Sequence, residues 1–243
     1  MISLLPVEGV PEIREGDDLG LLVAERIALA AGDVVVLAQK VVSKAEGRLL
    51  SLADVEPSAR ARQIAGDTAD PREIEVILRE TARIVRARGP LVIAETRHGF
   101  VCASAGVDHS NVPGEGTVVL LPLDPDESAR RIRGSIRKRT GADVGVVVTD
   151  SFGRPFRLGT TDVAIGAAGI TALADLRGTF DRAGLPLRST QVALADEIAA
   201  AANLVRAGKA DGLPVVVVRG LRGPRGDGSA AELVMPPERD LFR

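Results

Sequence analysis

One segment near the middle of the chain carries the residue types best suited to chemistry. The valine-rich stretch 144–149 predicts a buried strand, and it is followed directly by Asp150 and Ser151 and then by Arg154 and Arg157. Open α/β sheets bind ligands at the carboxyl ends of their strands. A carboxylate beside a hydroxyl suits a hard cation, and arginines suit phosphate or carboxylate oxygens. The alternative is a tight turn with solvated arginines.

A second polar cluster follows an earlier apolar run. The residues from 39 to 47 come directly after a predicted strand at 33–37, and they include Lys40 and Lys44. Two lysines spaced by four residues can reach a phosphate group from one side of a turn. The alternative is a solvated pair of surface lysines, because exposure is the usual state of this residue type.

The third cluster, Ala105–Val112, places an acid, an imidazole, a hydroxyl and an amide on a glycine-bounded turn. Asp108 is a candidate metal ligand, and Asn111 is a candidate contact for a base or a substrate amide. His109 is a candidate general base, with a surface histidine as the alternative. His98 has no partner motif and is predicted to be structural or exposed.

Asp108 and Asp150 form the most informative pair, because both follow predicted strands in a chain with two histidines and one cysteine. Oxygen ligands favour Mg²⁺ or Mn²⁺ over zinc. Active sites for phosphoryl transfer usually combine a divalent metal with lysine and arginine, because positioning and charge neutralisation provide most of the catalysis. The residues by themselves are therefore compatible with an enzyme that uses a metal and a nucleotide.

Several standard motifs are missing from the sequence. It has no Gly-x-x-x-x-Gly-Lys-Ser/Thr loop, no His-Glu-x-x-His and no Gly-x-Ser-x-Gly. The stretch Gly226–Ala231 matches the dinucleotide pattern Gly-x-Gly-x-x-Ala, but too few residues follow it for a βαβ unit. It is therefore predicted to be a helix cap.

Composition narrows the functional classes. The chain has 243 residues, a net charge of -2, five Phe and no Trp or Tyr, which argues against non-specific nucleic-acid binding and base stacking. The sequence contains no signal peptide and no apolar run of the roughly 20 residues that a membrane helix needs. The single Cys102 rules out an intrachain disulfide and is predicted to be a small buried hydrophobe. We expect a cytoplasmic protein.

Hydrophobic periodicity and capping residues predict alternating elements. The segment 39–47 is predicted as a polar connection, and 160–175 gives no firm signal. Because strands and helices do not alternate strictly, the fold class is predicted as α/β or α+β with mixed sheets. Helices are predicted at 19–31 after the acid cap Asp17-Asp18, at 70–88, 126–140 and 187–206, and from 229, and strands at 33–37, 91–95, 99–104, 117–121, 144–149 and 213–219.

Seven collinear segments resemble the coenzyme F-420-0: gamma-glutamyl ligase family over essentially the whole chain. No single segment is decisive, but seven in the same order are highly specific. The segments are Pro6–Pro11 with Glu15–Leu19, Val42–Arg48, Ala105–Val112, Leu123–Asp126, Thr149–Arg154, Ala195–Ala199 and Pro214–Leu221.

This resemblance implies a reaction. GTP would phosphorylate the terminal carboxylate of the deazaflavin coenzyme F-420-0, and the amine of L-glutamate would displace the phosphate to form an amide. A second glutamate can follow through a gamma linkage. The chemistry requires Mg²⁺ or Mn²⁺ to neutralise and align the phosphates, and K⁺ is a further candidate ion.

The resemblance also implies roles for individual residues. Asp108, Asp150 and Ser151 would hold metal, and Lys44 is a catalytic candidate. Independently of the resemblance, the residue type and position of Arg154 make it a further catalytic candidate for anionic substrate groups, together with Arg157. Many family members carry a Glu or Gln that assists the metal near the place of Gly208 and Lys209. The GTP contacts would be the backbone of Val10, Pro11, Glu12 and Ile13, the residues Gln39, Lys40, Lys44 and Asn111, and a covering loop of Arg206, Ala207, Gly208, Lys209, Ala210, Asp211, Gly212 and Leu213.

For architecture, the family implies a two-lobed ligase fold over residues 1–243 and an intertwined homodimer. The tail from Pro236 is similar to the junction in actinobacterial relatives, where a nitroreductase-like domain follows. The chain is expected to be either a natural single-domain form or a truncated one. Two other functions stay open: an amide ligase for another carboxylated cofactor, and a non-catalytic nucleotide- or cofactor-binding module.

Overall fold

A mixed five-stranded sheet forms the centre of the protein, whose computed structural model describes residues 1–206, 212–222 and 226–241. Among its described strands, one neighbouring pair runs parallel and the other neighbouring pairs are antiparallel. The predicted α/β class with a mixed sheet is therefore confirmed. In spatial order the strands are β1 (Ser3–Pro6), β12 (Val215–Arg219), β2 (Val34–Ala38), β8 (Gly145–Arg154) and β9 (Arg157–Ala168).

Helices cover both faces of this sheet. Val35 and Leu37 of β2 pack with one group of helices, whereas Val34 and Val36 pack with α6, because successive side chains of a strand point to opposite faces. Within the described ranges, no helix is long and apolar enough to cross a membrane. The first group is α1 (Leu19–Ala24), α2 (Gln39–Ala45) and α5 (Pro125–Thr140), and α6 spans Leu194–Val205.

The residues between α2 and α5 build a separate apolar cluster around Ile74, Ile77, Val92 and Val118. This cluster has its own strands and helices, while the lobe boundary and the dimer stay predictions. Its elements are β3 (Leu49–Ser51) paired with β7 (Thr117–Val119), α3 (Ala59–Ala65), α4 (Pro71–Glu80), and the sheet of β4 (Thr81–Arg88), β5 (Leu91–Thr96) and β6 (Val101–Ala103). A small antiparallel pair elsewhere joins β10 (Ala174–Asp175) to β11 (Gln191–Val192).

The predicted strands are confirmed, but three predicted helices are too long. The helix predicted over 70–88 ends at Glu80, and the next residues form β4 because they pair with β5. The helix predicted over 19–31 ends at Ala24, and further along the Asp33 carboxylate accepts a hydrogen bond from the amide of Ala30 (2.8 Å), which holds that later backbone in a turn. The last of the three, predicted over 187–206, begins only at Leu194.

The prediction of a polar connection over 39–47 is wrong, because Gln39–Ala45 forms α2. Its polar side chains face inward: Ser43 Oγ donates to Gln39 Oε1 at 2.8 Å, and both residues are buried. Val41 and Val42 bury the apolar part of the helix against the sheet. Tertiary burial, which a polar sequence does not reveal, therefore stabilises this helix.

Strand β8 also continues beyond its predicted end at Thr149 and runs to Arg154. Its parallel pairing with β2 stops at Thr149, after which it pairs only with β9 as a long hairpin. The register shifts because Val148 pairs with Gly166 whereas Thr149 pairs with Ala164, which leaves Ile165 as a β-bulge. This bulge determines which face of the hairpin the polar side chains beyond Thr149 and Ala164 point to.

Several acids of the resembling segments anchor backbone rather than bind ligands. Asp124 caps α5 by accepting from the amide of Glu127 (2.9 Å). Asp126 accepts from the amides of Ala167 (2.7 Å) and Ala230 (2.9 Å), and so ties α5 to β9 and to the C-terminal region. Ser229 begins a short 3-10 helix with a capping box, which confirms the predicted cap at Gly226–Ala231.

We expect Gly166→Ala to destabilise the protein by about 1–3 kcal/mol, because a Cβ at this position would lie 2.2 Å from the carbonyl oxygen of Pro125. Gly134→Ala in α5 is the matched control, since nothing lies within 4 Å of its added Cβ. This control should gain roughly 0.5–1 kcal/mol from helix propensity. Urea unfolding of both variants tests the pair, and equal effects would contradict the packing of β9 on α5.

Candidate functional site

A cavity of about 640 Å³ opens at the end of β2 and gathers segments that are far apart in sequence. Most of the predicted site residues that the structure describes line it. Thr160, Asp162 and Asn203 also line it and were not predicted. From the predicted set, the lining residues are Val10, Pro11, Glu12, Ile13, Lys40, Lys44, Asp108, Asn111, Ser151, Arg206, Gly212 and Leu213.

The remaining predicted residues lie elsewhere. Gln39, Asp150 and Arg154 are not among the described residues that line the cavity. Arg154 donates through Nη2 to the carbonyl oxygen of Leu158 (2.8 Å) across the end of the hairpin, where Arg157 is exposed. The predictions for Ala207, Gly208, Lys209, Ala210 and Asp211 fall outside the described residues.

Lys40 is held by the turn that carries Asp108. Its Nζ lies 2.7 Å from Asp108 Oδ2 and donates to the carbonyl oxygen of Ser110 (2.9 Å) as well as to the Ser110 hydroxyl. Burial alone would raise the pKa of Asp108, but the hydrogen bonds from Lys40 and Ser110 outweigh it and hold this pKa below the ordinary value. Asp108 is therefore ionised at neutral pH and oriented.

Lys44 lies one turn of α2 beyond Lys40 and reaches the same cavity, as residues four apart share a helix face. Its side chain is only 7% exposed, and its Nζ contacts Glu12 Oε1, whose side chain is 66% exposed. A buried ammonium whose partner is largely solvated is available to an incoming anion. Because residues 39–45 form a helix, Lys40 and Lys44 both point into the cavity.

Asp150 is the carboxylate near the cavity whose pKa departs furthest from its ordinary value. Its pKa is raised to about 7, mainly by burial and also by the nearby Asp108 and Asp162, against the lowering effects of the Ser151 amide and of Lys40. Strand alternation sends its side chain to the opposite face of β8 from Ser151. A divalent cation would favour the ionised form of such a carboxylate.

Asp162 is a site residue that sequence reasoning missed. It pairs with Ser151 across the hairpin and is buried. Its Oδ1 accepts from Ser151 Oγ (2.6 Å), while its Oδ2 accepts from Thr149 Oγ1 (3.1 Å) and Arg206 Nη2 (2.7 Å). In the sequence, the polar run Thr160-Thr161-Asp162 marks this place. Without the pairing register of β9, however, the run does not show which of its side chains points into the cavity.

Three of the predicted site residues carry a buried donor that has no partner in the described structure. These donors are Gln39 Nε2, Arg154 Nε and Arg206 Nε. A buried donor without an acceptor is costly, and a bound anionic ligand is one way to satisfy it. Arg206 closes α6 and lines the cavity, so its free Nε–H is the clearest feature that suits an oxygen-rich ligand.

The side chains around the cavity offer oxygen donors to a metal. Asp108 and Ser151 line the cavity with a carboxylate and a hydroxyl, which are oxygen donors that suit a hard divalent cation. Asp150 lies near Asp108 but outside the lining, so its carboxylate could join this set only from behind the cavity wall. The described part of the chain contains no group of three or more His, Cys, Asp or Glu side chains that could hold a metal. A metal here would therefore need further oxygens from a ligand or from water.

The other candidates have structural roles. His109 Nε2 lies 2.8 Å from Glu73 Oε1 and its side chain is 48% exposed, in keeping with a surface histidine. His98 stacks on Phe100 and lies within hydrogen-bond distance of the carbonyl oxygen of Pro122 (3.0 Å). Cys102 is buried in β6, as predicted, and burial with the nearby Asp150 raises its pKa to about 12.

The fold and the cavity define an α/β protein with a polar site suited to an anionic ligand and a cation. The family model described as F420-0:Gamma-glutamyl ligase matches residues 9–220. The chain belongs to this ligase family, which confirms the resemblance of the seven segments.

Three archaeal relatives match over the length of the chain, and each carries the name Coenzyme F420:L-glutamate ligase. The relative from Methanopyrus kandleri is 49% identical over 253 residues, covering 100% of this chain and 99% of its own length. Those from Methanothermobacter thermautotrophicus and Archaeoglobus fulgidus are 43% identical, covering 100% of this chain and 99% and 96% of their own lengths.

We expect Asp150→Asn to make the metal-free protein more stable than the native chain above about pH 7. The folded pKa of about 7 lies above the ordinary 3.8, so native stability falls as pH rises between these values. The slope is on the order of 1 kcal/mol per pH unit, and the two proteins should converge near the acid end. Urea unfolding with a chelator measures this, with the exposed Asp67→Asn as control. Parallel profiles for the native and Asp150→Asn proteins would contradict the raised pKa.

Proposed function

We propose that this chain is a GTP- and divalent-metal-dependent ligase that joins L-glutamate to the carboxylate of coenzyme F-420-0 and then adds gamma-linked glutamate. The observation that carries the proposal is the convergence of two lysines, an arginine and oxygen donors on one cavity. Membership in the ligase family and the name that the relatives share support the acceptor and the amino acid.

The proposed reaction has two steps. A carboxylate oxygen of F-420-0 attacks the γ-phosphorus of GTP, so that the bond to the β-γ bridging oxygen breaks and GDP leaves. The amine of L-glutamate then attacks the carbonyl carbon of the acyl phosphate, phosphate leaves with the bonding electrons, and the amine loses a proton. The products are an amide, GDP and phosphate.

The cationic residues would bind and orient the phosphates. Lys44 is buried on the cavity wall and Lys40 lies beside it, so both can neutralise phosphate oxygens in a site of low dielectric. Arg206 Nε and Gln39 Nε2 are donors that have no partner in the described structure. Asn111 lines the same cavity, where its amide is suited to reading the nucleotide base.

Asp108, Asp150 and Ser151 would hold Mg²⁺ or Mn²⁺, which supplies charge neutralisation and alignment for the phosphates when bound. Asp108 already contacts Lys40, so the metal ion and the lysine ammonium would share the Asp108 carboxylate. Arg154 would contact an anionic substrate group if the hairpin end approaches the cavity. The homodimer, K⁺ and a cytoplasmic location also stay predictions.

A ligation assay read by mass spectrometry tests the function directly. The protein is mixed with F-420-0, L-glutamate, GTP and Mn²⁺, with one control for each component left out. We expect mass increments of one or more glutamyl units that require both GTP and metal. The Asp150→Asn variant should lose most of the turnover, because one of two metal-ready carboxylates is gone.

The failure of this assay would also be informative. GTP binding without any mass increment would contradict F-420-0 as the acceptor, and it would favour another carboxylated cofactor or a non-catalytic module. Increments with ATP but not with GTP would contradict the nucleotide assignment. Unchanged turnover and metal dependence in Asp150→Asn would remove Asp150 from the metal site.

We expect Lys44→Ala to raise the KM for GTP by about 10–100-fold, since a charge-assisted hydrogen bond contributes roughly 1.5–3 kcal/mol. Lys138→Ala is the matched control, because Lys138 is exposed near the end of α5. Initial rates at varied GTP and saturating glutamate give the measurement. A KM for GTP equal to that of Lys138→Ala would exclude Lys44 from the nucleotide site.

A further inference from the structure

The Asp162 carboxylate connects three parts of the cavity wall. One oxygen accepts from Ser151 Oγ (2.6 Å), and the other accepts from Arg206 Nη2 (2.7 Å). The Asp162 and Arg206 side chains are 5% and 6% exposed, so their ion pair is almost fully buried. Thr149 completes the arrangement, because its Oγ1 accepts from Arg206 (2.8 Å) and donates to Asp162 (3.1 Å).

This geometry fixes the direction of the Ser151 hydroxyl. A serine hydroxyl has one proton and two lone pairs, and it can bind a cation only through a lone pair. Because the Asp162 carboxylate takes the proton, the lone pairs of Ser151 Oγ are left for the cavity side. Strand pairing places the two residues directly opposite each other, so the orientation is built into the hairpin.

Arg206 prevents Asp162 from acting as a competing ligand. Its guanidinium neutralises the carboxylate and occupies the oxygen that does not bind Ser151. Arg206 also closes α6, so the ion pair attaches this helix to the hairpin. The carboxylate is thus held by groups on both of its oxygens, as expected for a residue that supports a ligand instead of being one.

We propose that Asp162 is a positioning residue for the cation site, acting through the Ser151 hydroxyl, with Arg206 as its fixed counter-ion. The proposal rests on the proposed function in one respect, the assignment of Ser151 to the metal. It assigns a role to a residue that lies outside all seven segments of the family resemblance.

Binding of Mn²⁺ by the full chain in the presence of GDP, followed by the electron paramagnetic resonance signal of free Mn²⁺, tests the role without turnover. Asp162→Asn should weaken Mn²⁺ binding by about 10–100-fold, the usual range for a residue that supports a ligand. In a double-mutant cycle, Ser151→Ala should weaken binding by itself, and adding Asp162→Asn to it should have little further effect.

Asp196→Asn is the matched control for a purely structural effect. Asp196 also supports β9 from a neighbouring element, by accepting from the amide of Ala164 (2.8 Å), and it has no contact with Ser151 among those described. We expect its Mn²⁺ affinity to stay within about 3-fold of the native value, well below the usual effect of a supporting residue. A loss equal to that of Asp162→Asn would overturn the positioning role.

The folded state of each variant is checked by circular dichroism, because Asp162→Asn leaves Arg206 buried without its counter-charge. If that variant does not fold, the cycle is repeated in an Arg206→Gln background, which removes both charges, and every protein is compared with the Arg206→Gln chain because Arg206 also lines the nucleotide cavity. For either variant, an equal loss in the native and Ser151→Ala backgrounds would overturn the proposal, as would no loss at all.

The native protein separates this proposal from the proposed function. If the native chain binds no Mn²⁺, or if Asp150→Asn binds it equally well, the assignment of the metal site fails and Asp162 loses its role with it. If the native chain binds Mn²⁺ and ligates glutamate, but Asp162→Asn does so equally well, only the positioning role is overturned.

Discussion

The parallel pairing of β2 with β8 is the constraint on which the site depends. The ladder runs from Val34 opposite Gly145 to Ala38 opposite Thr149, so both strands leave the sheet at the same level. The residues that come next, Gln39 with Lys40 and Asp150 with Ser151, therefore meet at one edge although they are distant in sequence. Gly145 supports this register, because it lies opposite Val34 at a place where a Cβ would come within 2.3 Å of Ile170 Cγ2.

Charge balance then determines what the edge can bind. The carboxylates of Asp108, Asp150 and Asp162 lie near one another, and Lys40 and Arg206 compensate two of them. No ion pair among the described residues involves Asp150, so burial raises its pKa with little to oppose it, while the pKa of Asp108 falls. A buried site with one uncompensated acid is favourable for a cation and remains compatible with folding, because the acid can take up a proton instead.

The elements that the sequence predicts correctly are those with a strong local signal. Buried valine runs, the acid cap of α5 and the glycine-bounded turn at Asp108 all follow from short-range chemistry. The segments predicted wrongly depend on distant partners: α2 is stable because Val41 and Val42 pack on the sheet, and β4 forms because β5 pairs with it. Local patterns contain no information about such partners.

The same distinction applies to the candidate site. Lys44, Asp108 and Asn111 were candidates from their residue types and spacing, the resemblance of ordered segments gave them roles, and all three line the cavity. Asp162 was missed because the mixture of glycine, threonine and alanine around it has no clear period. Only the pairing of β9 with β8 shows that it faces Ser151.

Because of the bulge at Ile165, the number of residues in this hairpin determines whether Asp162 lies opposite Ser151. The extra residue lies between Asp162 and the part of β9 that pairs with the parallel core of the sheet. If the ladder ran on from Val148 and Gly166 without this bulge, Ser151 would pair with Val163, and Asp162 would point to the opposite face from Ser151. Divergence within the family should therefore proceed here by substitution, and insertions or deletions between Thr149 and Gly166 should be far rarer than in the surface loops.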